Sequence, residues 1–377
     1  MFLGSIYIHI PYCKQACTYC NFYFKVSKND KSEMVDAICK ELELRMPELS
    51  DQTISSIYFG GGTPSILNIV EINQILNQIY KLYKIDKKIE ITIECNPDDL
   101  KERKLLEFKK SNINRLSIGV QSFKQEDLFF MNRSHNFKDS INCINKAKSV
   151  GFNNITIDLI YGLPKQSIKD WKENLKILFD LNIQHFSAYC LTVEKKTALH
   201  KLIKKNEIFP ANEKTQIEQY YILTEMANDN NFIQYEISNF GKENFFSKHN
   251  IGYWKNQHYI GVGPSAHSYN GNVRRWNISS NKKYIYNINN NKCYYKKEEL
   301  TLNEKYNEFI FVSIRTMWGV NIDALNKLFG EKSKKHFIKQ AEKWIQNEMI
   351  KKTNSNYTIA RKGQILSDNI SSDLFIV

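Results

Sequence analysis

YIHIPYCKQACTYCNF, residues 7–22, joins a β-branched run to a cysteine-rich loop. SIYIHIP (5–11) reads as a strand that stops at Pro11, and Cys13, Cys17 and Cys20 follow at CxxxCxxC spacing. A structural zinc site takes four protein ligands, and a fully ligated cubane takes four cysteines. Three thiolates suit a [4Fe–4S] cluster whose fourth iron stays open to a ligand that is not protein, such as a chelating amino acid. Zinc would have to borrow His9, which sits at the strand end. The other cysteines (Cys39, Cys95, Cys143, Cys190 and Cys293) are scattered singly. With no paired framework and no signal-peptide pattern, the expectation is reduced cysteines and a cytoplasmic location.

The strand that opens this stretch is the first of a series. SSIYFGGG (55–62), KIEITIECNP (88–97), NRLSIGVQSF (114–123), NITIDLIYGLP (154–164) and QHFSAYCLTVE (184–194) are further strand patterns. Amphipathic stretches at 31–46, 70–83 and 167–181 repeat apolar residues at three- and four-residue steps. Strand–helix alternation with nearly continuous apolar strands implies parallel pairing and right-handed crossovers. Six units predict an α/β fold, a partial (β/α)6 barrel of parallel strands, with ligands at the strand ends.

Polar and glycine residues gather at those ends. GGG (60–62), Thr63 and Pro64 leave a turn stripped of side chains beside the cysteine loop. Glu94, Gln121 and Arg133 lie at or just beyond strand ends, and Asp158 stands inside an apolar strand. A buried acid is costly without a partner, so Asp158 is either a ligand contact or a structural hydrogen-bond acceptor. Tyr12, Tyr19 and Phe22 either seal the cluster against water or pack in the core.

Beyond residue 200 the pattern changes. A helix is expected over 212–230, a strand at QYEISNF (234–240), a loop carrying KHNIGYW and a glycine-rich turn at YIGVGPSAHS (259–268). NISSNKKYIYNINNNK (277–292) reads as an exposed Asn-rich loop. Helices at 304–317, 321–330 and 335–349, then a short strand, a turn and a helix over 357–370, make a C-terminal helical, winged-helix-like module. The division expected is 1–200, 201–298 and 299–377. HNIGYW (249–254) places a histidine beside aromatic rings, as an axial haem ligand needs, although a lone histidine is more often structural. His267 poses the same choice.

Composition narrows the partners. Hydrophobic residues make up 42% and charged residues 25%, as in ordinary globular proteins. The net charge of +13 is spread over a chain rich in Lys, Asn and Ile. It reads as compositional drift rather than a nucleic-acid surface.

CxxxCxxC after YIHIP, then FGGGTPS, IECNPDDL, RLSIGVQSF, MNRSHN, IDLIYGLP, SAYCLTVE, HNIGYW and GVGPSAHS, resembles the radical S-adenosylmethionine (SAM) family along essentially the whole chain. Within it the chain is similar to the oxygen-independent coproporphyrinogen III oxidase group. The resemblance implies a [4Fe–4S] cluster on Cys13, Cys17 and Cys20, with SAM on the open iron. It also implies SAM contacts at Tyr7, Tyr19, Gly61, Gly62, Thr63, Glu94, Gln121, Arg133 and Asp158. In that family the reduced cluster cleaves SAM to a 5′-deoxyadenosyl radical that abstracts hydrogen. Two branches differ: the oxidase, a decarboxylase of porphyrin biosynthesis, has a further cysteine where this chain has Phe22. The heme-chaperone branch carries HNxxYW, intact here as His249, Asn250, Tyr253 and Trp254. The chaperone branch implies haem contact at His249, haem-accepting respiratory proteins as partners, peripheral membrane association through them, and no nucleic acid. The oxidase is the alternative, and a cluster-sensing winged-helix regulator a third.

Overall fold

The computed structural model describes residues 2–377. Six strands lie side by side in parallel: β1 (Phe2–Ile10), β2 (Gln52–Gly61), β3 (Lys84–Cys95), β4 (Arg115–Gln121), β5 (Ile155–Tyr161) and β6 (His185–Cys190). Alternate residues of these strands are fully buried; Ile6, Ile8, Ile57, Phe59, Ile91, Ile93, Leu116 and Ile157 expose no surface. The covering helices begin where the sequence provides caps. Asn68 with Glu71, Asn136 with Asp139 and Ser167 with Asp170 each form a capping box, worth about 1 kcal/mol apiece.

The sheet extends beyond the six units. After the helix Glu213–Asp229, the chain adds the antiparallel pair β7 (Ile233–Glu236) and β8 (Asn239–Gly241) beside β6. It then crosses to the other side, where β9 (His258–Val262) pairs in parallel with β1. β10 (His267–Tyr269), β11 (Val273–Asn277) and β12 (Tyr295–Glu299) continue antiparallel. The full order is β12-β11-β10-β9-β1-β2-β3-β4-β5-β6-β8-β7. Residues 201–298 thus supply strands to both ends of one twelve-stranded sheet, with β7 and β12 at its edges.

Three local expectations are corrected. QYEISNF is not one strand: it holds the Ile237–Ser238 turn of the β7–β8 hairpin. KHNIGYW is not a loop but the helix Lys248–Trp254, started by the Ser247 hydroxyl accepting from the Asn250 amide. The Asn-rich stretch holds the helix Asn281–Asn289, whose Tyr284, Ile285 and Ile288 are buried. Its apolar stripe at helical spacing outweighs the polar composition.

A polar knot fixes this second half to the first. The fully buried Glu41 carboxylate accepts from the Gly263 amide at 2.8 Å, Tyr284 Oη at 2.5 Å and Asn277 Nδ2 at 2.8 and 3.0 Å. Arg45 Nη1 stands 3.4 Å from Glu41 and donates to Gly261 O at 2.7 Å. GVGPSAHS is thereby explained as a joint. Gly263 has φ +96°, and a Cβ there would lie 2.4 Å from His9 O.

The C-terminal module has its own apolar cluster, built on Tyr306, Ile310, Phe337, Tyr357 and Ile370. The helix Leu302–Ile314, a long helix Ile322–Gln346 broken at Gly330, and the helix Ser367–Asp373 pack on a sheet of β13 (Val320–Asn321), β14 (Ile350–Thr353) and β15 (Asn356–Ile359), in the order β13-β15-β14. The module docks on the β7 edge. The Met317 amide donates to Tyr235 O at 3.0 Å, and Gln364 Nε2 donates to Gln234 Oε1 at 3.1 Å.

Candidate cluster and SAM site

The cysteine loop is held by its backbone. The Cys13 amide donates to Lys25 O at 3.0 Å, the Thr18 amide to Met131 O at 3.1 Å and the Leu199 amide to Thr18 O at 2.9 Å. On the loop's flank Gln15 Nε2 donates to Asn132 O and Oδ1, and Asn132 Nδ2 donates to Ala16 O. Lys14 pairs with Asp98 at 2.7 Å and with Asp99, so the acids of IECNPDDL anchor the loop. The three thiols are left lining a cavity of about 960 Å³. Burial pushes the Cys13 thiol up to about 11 and raises that of Cys20. Those two sulfurs therefore stay protonated unless a cation displaces the proton.

The GGG turn is set by packing as well as by access to the cavity. The Gly62 amide donates to Ile10 O at 2.9 Å and the Thr63 amide to Tyr12 O at 2.7 Å. A Cβ on Gly62 would sit 2.6 Å from Tyr12 O, so only glycine lets the turn approach the start of the cysteine loop. Gly61, Gly62 and Thr63 all line the cavity, and the Thr63 hydroxyl lies 3.5 Å from Cys13 Sγ.

Glu94, Gln121, Arg133, Asp158 and Tyr19 converge on the same cavity. Glu94 accepts from Tyr58 Oη at 2.9 Å and from the Gly61 amide at 3.2 Å. Burial pushes its carboxyl up to about 7 despite these bonds. Gln121 has φ +67° where β4 slips register against β5, a strained setting of the kind found at binding sites. Arg133 donates to Asn96 Oδ1 at 2.8 Å, Gly119 O at 2.7 Å and Cys17 Sγ at 3.4 Å. Its buried Nε has no partner among the described residues. Asp158 faces the cavity and also accepts from Ser117 Oγ at 3.2 Å.

Other expected residues stand elsewhere. Tyr7 is not on the cavity wall: it lies behind Tyr58, its hydroxyl 3.2 Å from His9 Nδ1. His9 Nε2 meets Tyr23 O at 2.9 Å, so both ring nitrogens are engaged and zinc finds no ligand there. Tyr12 is core, its hydroxyl bonded to Asp30 at 2.7 Å. Phe22 does not seal the loop; it is 68% exposed on the cavity rim. His249 is 1% exposed, with Nδ1 at 2.9 Å from Ser56 Oγ and Nε2 at 2.8 Å from Tyr253 Oη. Its ring stacks on Tyr58, and burial lowers its pKa to about 3. In this arrangement it has no free lone pair for haem iron; it braces the back of the Tyr58–Glu94 wall. His267 stacks on Trp276 away from the cavity.

The cavity also takes in residues that the sequence did not single out: Tyr58, Asn96, Arg115, Ser117 and Tyr189 from the sheet, and Arg315, Gln364 and Asp368 from the C-terminal module. Arg115 and Ser117 were discoverable as inward positions of β4, since both stand an even number of residues before Gly119 and Gln121. Nothing local marks the C-terminal residues, since only the docking on β7 brings them there.

These residues fit the groups the resemblance implies. Among the described residues no three Cys, His, Asp or Glu side chains converge as a single ion would need, whereas a cubane takes each thiolate on a different iron. A guanidinium with a spare N–H, two carboxyls and an amide beside the thiols form a donor set suited to a zwitterion bearing a ribose. Such a cluster supplies one-electron reduction; the chain's part is to hold, orient and shield.

Comparison with known proteins agrees. The radical SAM superfamily model matches residues 7–178, and the HemN C-terminal domain model matches residues 300–366. The solved coproporphyrinogen III oxidase (HemN) of Escherichia coli superposes with a TM-score of 0.86 at 21% identity, covering 99% of this chain and 90% of that one, which shows a common fold. The heme chaperone HemW of Lactococcus lactis is 29% identical over 97% of this chain and 96% of its own. That of Bacillus subtilis is 32% identical over 372 residues, 98% of each chain. With identity at that level over both full lengths, this chain belongs to the HemW family of radical SAM proteins.

Proposed function

We propose that this protein is a cytoplasmic haem carrier that hands haem to haem-requiring proteins of the respiratory chain. It would hold a [4Fe–4S] cluster on Cys13, Cys17 and Cys20, with SAM against Gly61–Thr63, Glu94, Gln121, Arg133 and Asp158. The observation that carries the reading is the full-length likeness to proteins named heme chaperones. Phe22 supports it, because the oxidase's further cysteine is replaced by an apolar ring facing the cavity mouth. The cavity lies at the top of the usual range for small-molecule sites, about 300–1,000 Å³. No helix among the described residues is long and apolar enough to cross a membrane, so delivery to membrane proteins would be by docking. The 299–377 module would act as the cavity's outer wall.

The test is anaerobic. The reconstituted protein is titrated with haem and, separately, supplied with SAM, reductant and coproporphyrinogen III. A Soret band without protoporphyrinogen formation is expected; turnover to protoporphyrinogen would reassign the chain to the oxidase branch.

A further inference from the structure

The C-terminal module brings one cation to the cavity that the cluster and SAM do not use. Arg315 caps the end of the helix Leu302–Ile314 and lines the cavity wall. Its side chain is 16% exposed, and its Nε is buried without a partner among the described residues. Nη1 pairs with Asp368 and lies 3.5 Å from Ser367 Oγ. The Phe311 ring centroid stands 5.2 Å from the guanidinium. Asp368 is 80% exposed, and an ion pair with so solvated a carboxylate holds little net energy. An incoming carboxylate displaces it at small cost and also gains the vacant Nε–H.

The rest of the rim indicates what kind of carboxylate. Phe22 from the cysteine loop, Tyr189 from β6 and Ile365 from the module expose apolar surface on the same cavity. Glu194, Glu213 and Asp368 also line it and repel a highly charged anion such as a polyphosphate. A flat apolar body with one or two carboxylate arms meets both conditions.

We infer that Arg315 is a binding residue for a side-chain carboxylate of a porphyrin, with Asp368 as the internal carboxylate that holds its place when no ligand is bound. This deepens the carrier reading by giving haem an anchor on the C-terminal module, but it concerns the porphyrin's carboxylates and not its iron. A planar two-pronged donor suits a carboxylate better than an ammonium does.

Binding of haem, protoporphyrin IX and protoporphyrin IX dimethyl ester is measured by absorbance and fluorescence quenching on the full chain, with wild type, Arg315→Ala, Arg315→Lys and Asp368→Asn. A charge-assisted pair lost from a part-buried site weakens affinity about ten- to a hundredfold. Arg315→Ala is expected to lose that much for the two free acids and nothing for the ester. Arg315→Lys recovers part of the loss, and Asp368→Asn tightens the acids. Equal melting temperatures and iron contents show that the variants are folded. If Arg315→Ala binds the acids as wild type does, the inference is overturned while the carrier reading stands. If free porphyrin binds in an Arg315-dependent way but haem does not, the carrier reading falls and this one stands. If wild type binds none of the three, both fall.

Discussion

Cys13, Cys17 and Cys20 sit on a loop whose backbone is fastened on both flanks while their sulfurs face a cavity. His249 sits on a short helix with both ring nitrogens bonded and a tyrosine stacked on its face. Both motifs carry residue types that bind metals, but only the first keeps binding capacity in reserve. A binding site shows a rigid backbone and unsatisfied side chains; a structural joint shows side chains whose valences are spent. Glu41, with donors from four residues, is of the second kind.

Cys17→Ser is the sharpest way to break this contrast. It is expected to abolish iron loading and brown colour after reconstitution and to leave the melting curve of the iron-free protein within about 0.5 kcal/mol. Cys143→Ser, whose thiol is buried and bonded to Ser140 O, retains the iron. A Cys17 variant that unfolds would erase the distinction.

Glu41→Ala takes the opposite form: a loss of about 3–5 kcal/mol in urea unfolding, since Tyr284 Oη, Asn277 Nδ2 and the Gly263 amide lose a buried charged acceptor, with iron content unchanged in the folded fraction. Next comes His249→Ala, expected to cost about 2–4 kcal/mol for the orphaned Tyr253 hydroxyl and the space left behind. The Soret titration of the folded variant should match wild type; a lost haem band at unchanged stability would return His249 to the haem site.

The smallest effect per residue is read from pH. Burial pushes His9, His135 and His249 down to about 4, 4 and 3. All three are neutral when folded at pH 5 and above, while the unfolded chain takes up protons below about 6.5. Stability is therefore lost as pH falls, by about 1 kcal/mol per histidine between pH 6 and 5. Unfolding of the iron-free protein at pH 7, 6 and 5 checks this; a flat profile contradicts the burial of these rings.

The six parallel strands were legible because their signal is local: β-branched runs, turn residues and amphipathic stretches repeat in order. The gathering of the cysteine loop, Gly61–Thr63, Glu94, Gln121, Arg133 and Asp158 on one cavity was legible because each follows its own strand. Tyr7 shares its sheet face with Tyr58, its partner in the β1–β2 register, yet only Tyr58 lines the cavity, a difference that no single strand encodes. The bonding of His249 was not legible because a histidine beside aromatics looks alike in a cofactor site and in a packed joint; its partner Ser56 lies 193 positions away. Arg315 was invisible for the same reason, since it reaches the cavity through docking of the module on β7.

β1, the first strand of the described chain, is an interior strand of the sheet, with β2 on one side and β9 on the other. Its second neighbour begins at His258, so on the ribosome β1 waits for most of the polypeptide before its flank is covered. Tyr23, just past the cysteine loop, likewise waits for Asn281, which it meets at 2.9 and 3.1 Å. Contacts so distant along the chain form late. Assembly order thus sets a clock: the cysteine loop gains this support only once residue 281 has been made, so an iron centre that needs the completed frame would be inserted after that point.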